Sequence, residues 1–162
     1  MKSRFFPLQL LALASALSLL VAFPSVSGAD SCTSVENMDI PALADLMKSM
    51  DLSAEVMQND DAQFVRWTLD RRNAVLRMSP TGKTIILLIW SSGLEATSQQ
   101  LETWNREQLF GKSYLDKDGD PTLELYVELA GGICEERLRD FFTTCQYAID
   151  LWFTKLSEQS KL

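Results

Sequence analysis

The chain of 162 residues contains no histidine and only three cysteines. The absence of histidine excludes Ser-His-Asp and Cys-His catalysis and histidine-ligated zinc sites. The cysteines have no CxxC spacing, so the sequence indicates neither a cysteine-ligated zinc site nor a thioredoxin-like redox motif. Phosphate-binding loops of the GxxxxGK(S/T) and GxGxxG types are also absent. We therefore predict no catalytic residue, no cofactor-binding residue and no metal ligand, and we expect no enzyme activity.

Basic residues are few as well. The chain has 15 lysines and arginines against 22 aspartates and glutamates, and its formal net charge is −7. Nucleic-acid binding normally depends on a basic patch whose lysines and arginines contact phosphates. The sequence shows no such patch, since its adjacent arginines Arg71 and Arg72 directly follow Asp70. The composition predicts a protein that does not bind nucleic acid.

The N-terminal segment has the pattern of a secretory signal peptide. Two basic residues precede the apolar run Leu8–Ala22, and small residues follow it. These small residues place the cleavage before Asp30, with cleavage after Gly28 as the alternative. The run is shorter than the roughly 20 residues that span a bilayer, so an uncleaved anchor is the less favoured interpretation. We expect residues 1–29 to be removed and the mature protein to be exported, periplasmic or secreted, with no membrane segment.

Cleavage there would remove two basic residues and no acidic ones, which changes the net charge from −7 to −9. The remaining chain has the size of one domain and can bury a sizeable core. We expect one acidic domain.

The three cysteines allow one disulfide. Cys134 and Cys145 lie on one predicted helix, about 16 Å apart at its rise per residue, which is too far for a bond between them. In an oxidising compartment Cys32 could reach either of them. Cys145 has a core position on the helix, and free cysteine is among the most buried residue types. We therefore predict a disulfide between Cys32 and Cys134 and a free, buried Cys145.

Hydrophobic periodicity predicts an α+β fold, an antiparallel sheet packed against helices, in the order α-β-β-β-β-α-β-β-α. A flexible mature N-terminus at residues 30–38 precedes it, and a tail at 158–162 follows. The predicted helices begin at Asp39, at Thr97 and around Glu135. The predicted strands are Ala54–Gln58, Phe64–Leu69, Ala74–Met78, Thr84–Trp90, Lys112–Asp116 and Thr122–Leu129.

Three of these elements carry strong packing signals. Thr84–Trp90 is apolar at consecutive positions, which predicts a central strand covered on both faces. Thr122–Leu129 alternates apolar and polar residues and predicts one buried face. The last helix has a continuous apolar stripe that we expect to pack on the sheet. The helix that begins at Thr97 is expected to end near Gly111 and to carry Leu101, Trp104, Leu109 and Phe110.

A series of short motifs lies in the second half of the chain. They are Trp104-Asn105-Arg106, Tyr114-Leu115-Asp116, Asp118-Gly119-Asp120-Pro121 and Gly131-Gly132. In this order and spacing they resemble the YbjN-domain family, also called bacterial sensory-transduction regulators. The element order of residues 39–157 is similar to that of the same domain. The resemblance implies a fold similar to type III secretion chaperones.

The function that follows from this resemblance is protein binding. It implies an exported, non-enzymatic module that acts as a chaperone or regulator on an unknown protein client, and it allows a homodimer. The alternative is a small-ligand-binding protein or an enzyme, with a pocket between the long C-terminal helix and the sheet.

The acidic residues of the second and third motifs share part of a calcium-loop pattern. Asp116, Asp118 and Asp120 have the spacing of the first ligands of an EF-hand. However, Pro121 occupies the position of the required glycine, and Val127 that of the bidentate glutamate. We therefore interpret this segment as a structural acidic turn.

The polar residues of the first motif have two interpretations. Asn105 and Arg106 follow Trp104, which is expected to be buried, and a buried amide must be hydrogen-bonded. The favoured hypothesis is that both residues attach the helix to the acidic hairpin, at Asp116 and Asp120, through complementary charge. The alternative is that they line a binding site.

Overall fold

The computed structural model describes residues 32–159. The predicted signal peptide and the end of the predicted tail lie outside the described residues. Within them the protein is an α+β domain, as predicted. Its helices are α1 (Ile40–Lys48), α2 (Ser98–Glu107) and α3 (Glu135–Gln159). Its strands are β1 (Ser34–Val35), β2 (Ala54–Gln58), β3 (Gln63–Leu69), β4 (Arg72–Met78), β5 (Thr84–Trp90), β6 (Lys112–Leu115), β7 (Pro121–Glu128) and β8 (Ile133–Cys134).

Six of the strands form one antiparallel sheet in the order β2-β3-β4-β5-β7-β6. Strand β7 pairs with β5 over seven residue positions, with Leu125 opposite Leu87. This pairing joins the second half of the chain to the first. The predicted order of helices and long strands is confirmed, and the structure adds the short pair β1 and β8.

The core lies between one face of the sheet and the helices. The apolar stripe of α3 is buried along its length, as predicted, and its members Phe142 and Trp152 are almost inaccessible to solvent. Trp67 of β3 meets Phe142 edge to face, with the ring centroids 6.1 Å apart. Helices α1 and α2 contribute further residues, among them Leu43 and Trp104, to the same core.

The opposite face of the sheet is not covered by a helix in the described part of the chain. On β5, Ile85, Leu87 and Ile89 are fully buried, whereas Ile86 and Leu88 between them are only half-buried. The prediction that this strand is covered on both faces was therefore wrong. Its outward residues are apolar even though no helix packs on them.

The segment before α1, predicted to be flexible, has defined contacts in the structure. Strand β1 pairs with β8, and the Met38 amide donates to the Gly82 carbonyl at 3.0 Å. Gly132 makes the first contact feasible, because it has a φ of +86° and a Cβ there would lie 2.3 Å from Ser34 Oγ. The contacts extend from Cys32 to the start of α1.

Helix α2 ends earlier than predicted. Gln108 is extended and its amide caps the Trp104 carbonyl, so Leu109 lies outside the helix and is 97% exposed. The prediction that Leu109 lies on this helix was therefore wrong. Gly111 explains the early end, because with a φ of +69° it passes the Glu124 carbonyl so closely that a Cβ would lie 2.5 Å from that oxygen.

Candidate functional site

Ser113 is the centre of a polar network that joins four elements. Its amide donates to Asn105 Oδ1 at 2.7 Å, and its carbonyl accepts from Asn105 Nδ2 at 2.8 Å. Its buried hydroxyl donates to the Thr122 carbonyl at 3.2 Å and accepts from Trp152 Nε1 at 2.8 Å. The network therefore connects α2, β6, β7 and α3.

The Asn105 side chain closes the edge of the sheet at β6. The Asp116 amide donates to the Asp120 carbonyl. Because hydrogen-bonded residues alternate in an antiparallel ladder, the even-numbered residues of β6 bond to β7. The backbone amide and carbonyl of Ser113 therefore point away from β7. A side-chain amide carries one carbonyl and one NH₂ group, so it can replace both partners that a neighbouring strand would supply. Asn105 thus has a structural role.

Arg106 does not take part in this contact. Its guanidinium donates to Thr103 Oγ1 at 3.3 Å, and no ion pair within residues 32–159 joins it to the acidic hairpin. The hypothesis was therefore wrong for Arg106, and for Asn105 the contact is with β6 rather than the hairpin itself. The physical reason is that adjacent residues of a helix do not face the same neighbour.

The acidic hairpin is held by its own first residue. Asp116 Oδ1 accepts from the amides of Asp118 and Asp120, both at 2.9 Å. Gly119 has a φ of +84° and donates its amide to the Asp116 carbonyl. Among the described residues, the three carboxylates do not converge on a common point as metal ligands. The geometry fits the structural acidic turn.

Cys32 and Cys134 are joined by a disulfide in the structure, in the pairing that the sequence favoured. Cys145 is free and fully buried. Burial raises the pKa of the Cys145 thiol. A protonated thiol in the core is a poor nucleophile, so Cys145 belongs to the packing of α3.

The uncovered side of the sheet carries a cluster of apolar side chains among polar ones, which we name the open face. Its apolar members are the outward side chains Met57, Phe64, Val75, Ile86, Leu88, Trp90 and Tyr126, and the charged residues interspersed among them are Glu55, Arg66, Arg77 and Glu124. Trp90 is 43% exposed and Tyr126 is 68% exposed. Sequence reasoning missed this surface because the apolar run of β5 is the usual signature of a doubly covered strand.

Polar contacts join several side chains on this side of the sheet. Arg66 forms an ion pair with Glu55, and Tyr114 donates its hydroxyl to Glu124 at 3.0 Å. The pKa of Tyr114 is raised, first by burial and then by its hydrogen bond to Glu124. These contacts join side chains on neighbouring strands and do not involve Ile86, which is half-buried.

A cleft of about 550 Å³ lies between α3 and the end of the sheet. Phe110, Leu125 and Phe141 line it, together with the exposed Leu109 and Tyr126. Its lining includes one charged residue, Lys112, and is otherwise mostly apolar, so the cleft offers mainly apolar contact.

Fold and surface together define an α+β domain whose sheet has helices on one side and an open apolar face on the other. The chain belongs to the YbjN family: residues 40–158 match the family model described as "Putative bacterial sensory transduction regulator". The resemblance predicted from the motifs is thus confirmed. Within the described residues, no helix has the length and apolar character needed to cross a bilayer.

A solved structure has the same fold. The crystal structure of YbjN from E. coli, titled "a putative transcription regulator", is similar with a TM-score of 0.55 and 13% sequence identity. The match covers 75% of this chain and 91% of that chain. At this identity the likeness concerns the fold alone. None of the curated proteins matches the chain.

Replacement of Asn105 tests the role of the first motif. Asn105→Ala removes both partners of the Ser113 backbone, and we expect the free energy of unfolding to fall by about 1 to 3 kcal/mol. Arg106→Ala, the matched control on the same helix, removes one exposed contact and should cost less than about 0.5 kcal/mol. Urea unfolding followed by tryptophan fluorescence measures both values. Equal losses for the two variants would contradict the assignment.

Proposed function

We propose that this YbjN domain is a non-catalytic binding module that regulates or chaperones another protein through the open face. The observation that carries the proposal is the apolar surface on β3, β4, β5 and β7, which no described helix covers. Contiguous exposed apolar surface on a soluble domain marks an interaction site. The partner is an unidentified protein client, which the open face would shield from water.

The composition of the open face supports protein as the ligand. Tyrosine, tryptophan and arginine are the residue types enriched in protein interfaces and in their energetic hot spots. Ile86 lies between Arg77 on β4 and Tyr126 on β7, and Trp90 stands at the end of the same strand as Ile86. Aromatic anchors around an apolar centre suit an apolar segment of a client.

The family and the solved neighbour are both described as regulators. For this chain we propose that regulation proceeds by protein contact rather than by DNA binding. The net charge of −7, or −9 after the predicted cleavage, repels a phosphate backbone. The two arginines of the open face, Arg66 and Arg77, alternate with the acidic Glu55 and Glu124 rather than forming a basic patch.

We propose that the protein acts outside the cytosol, in the periplasm or after secretion. The signal-peptide pattern and the disulfide both support this compartment, because disulfides persist where the environment is oxidising.

Small-ligand binding is the second candidate function, and the cleft beside Phe110 and Phe141 is the observation in its favour.

Site-specific photo-cross-linking tests the binding proposal. A benzophenone amino acid is placed at Ile86 on the open face, or at Thr143 on the exposed side of α3 as the matched control. Irradiation in the native host should give a discrete protein adduct at Ile86 and none at Thr143, since only the open face meets the client. Identical adduct patterns at both positions, or no adduct at Ile86, would contradict the proposal.

A further inference from the structure

We propose that the free edge of β2 binds an extended, basic segment of the client, which adds to the sheet as a further strand. This inference rests on the proposed function, because it assigns one part of the client to a position beside the open face. Three observations support it. The outward backbone groups of β2 have no partner, those of Ser113 at the opposite edge are bonded by Asn105, and the residues around β2 are acidic.

The backbone geometry leaves one set of β2 groups unpaired. At one end Thr68 donates to the Ser53 carbonyl, and at the other Asn59 donates to the Ala62 carbonyl. Hydrogen-bonded pairs alternate in an antiparallel ladder, so the odd-numbered residues of β2 bond to β3. The amides and carbonyls of Ala54, Val56 and Gln58 therefore point outward, and residues 32–159 provide no backbone or side-chain partner for them.

The two edges of the sheet differ in this respect. At β6 the outward groups of Ser113 are occupied by the side chain of Asn105. Across the sheet, β2 has no equivalent side chain, and Val56 at its centre is 41% exposed. An exposed row of unpaired backbone groups is a template for pairing with another chain. Among the described strands of this sheet, β2 offers the longer row of such groups, at Ala54, Val56 and Gln58.

Charge selects the kind of segment that fits. Residues 45–61 contain five acidic residues and one lysine, and that lysine, Lys48, already pairs with Asp45. Asp51 stands before β2, and Asp60 and Asp61 stand after it, all exposed. A client segment with lysine or arginine side chains would complement this charge.

A second copy of the chain fits this edge less well. Antiparallel pairing of two β2 strands about Val56 would bring Asp60 and Asp61 of one copy towards Asp51 of the other, at the ends of the paired strands. Like charges directly opposite each other destabilise paired strands. The edge therefore favours a different chain over a homodimer.

The faces of β2 specify the order of side chains in the client. On the helix side the added strand would lie next to the exposed Val56, which favours an apolar side chain. On the open side it would lie next to Glu55 and Met57, where a basic side chain can share the Glu55 carboxylate with its ion-pair partner Arg66. Alternating apolar and basic residues match this pattern.

Amide hydrogen exchange of the mature protein, observed residue by residue by NMR, tests the inference. The probe is a seven-residue peptide of alternating lysine and valine with blocked ends. Its addition should slow exchange at the Val56 and Gln58 amides at least about tenfold and leave the Ser113 amide unchanged, because Asn105 already occupies it. A glutamate-valine peptide, the charge-reversed control, should have no effect.

Two variants separate backbone pairing from side-chain contact. Val56→Pro removes one outward amide without disturbing the bonds to β3, a position where an edge strand tolerates proline. It should weaken lysine-valine binding about tenfold or more, whereas Val56→Thr, which keeps the amide, should change it less than about threefold. An N-methylated peptide should fail to bind whether or not the proline variant is stable.

The outcomes distinguish this inference from the proposed function. If the peptide leaves the β2 amides unprotected while cross-linking at Ile86 still yields an adduct, strand addition is wrong and the open-face proposal stands. Protection of the β2 amides that rises with protein concentration in the absence of peptide would show a second copy at this edge and overturn the inference.

Discussion

Loss of the Cys32–Cys134 disulfide should lower the free energy of unfolding by about 4 to 5 kcal/mol. The two cysteines are separated by 102 residues, so the bond closes into one loop everything between Cys32 and the start of α3. In the chain-entropy account, a loop of about 100 residues restricts the unfolded state by about 4.7 kcal/mol. Urea unfolding of the mature protein with and without dithiothreitol measures the loss.

Two variants control this experiment. Cys32→Ser combined with Cys134→Ser should match the reduced protein and show no further response to dithiothreitol. Cys145→Ala, which keeps the disulfide, should respond to dithiothreitol as the wild type does. If reduction leaves the unfolding midpoint unchanged, the disulfide does not stabilise the domain.

Because the disulfide forms only in an oxidising compartment, the stability of the domain should depend on where the protein is located. Cytosolic thiols are kept reduced, so a chain made without residues 1–29 should accumulate there in the less stable, reduced form. Alkylation of its free thiols before gel electrophoresis would distinguish it from the exported protein. A fully oxidised cytosolic form would contradict the proposed dependence on export.

Ile86→Glu should weaken client binding roughly 100-fold, or about 2.7 kcal/mol, because the client would have to bury a charge at the centre of the open face. Its effect on folding should be small, within about 1 kcal/mol, since Ile86 is half-buried and its cross-strand neighbour Arg77 can pair with the new carboxylate. Titration of the client identified by cross-linking, together with thermal unfolding, measures both effects.

Thr143→Glu is the matched control for this variant. It adds the same charge at an exposed position of α3, on the helix side of the domain. We expect client affinity to remain within about threefold of the wild type. Equal losses for the two variants would indicate a general charge effect rather than an interface on the open face.

Much of the fold could be predicted because, in several elements, the pattern of nearby residues indicates which side chains are buried and where a helix begins. The alternation in β7 identifies Leu123 and Leu125 as buried, and both are. The stripe of α3 has the helical period, and its members pack in the core. Asp39 and Thr97 cap α1 and α2 through side-chain bonds that involve residues nearby in sequence.

Other features depend on distant parts of the chain. Whether both faces of β5 are covered depends on where the helices pack. The residues of the strand itself do not indicate this. The turn at Gly111 follows from the closeness of Glu124, a residue of another strand. The ordering of the chain after Cys32 depends on β8, and the partner of Asn105 is a backbone group, for which no sequence pattern exists.

The central claim is that the first motif maintains the fold while the open face binds the client. Client dissociation constants for Ile86→Glu and Asn105→Ala, measured at a temperature where both variants are folded, test it most directly. We predict a roughly 100-fold increase for Ile86→Glu and less than a threefold change for Asn105→Ala. The reverse order, with Asn105→Ala losing the client and Ile86→Glu retaining it, would place the binding site at the motif and contradict the claim.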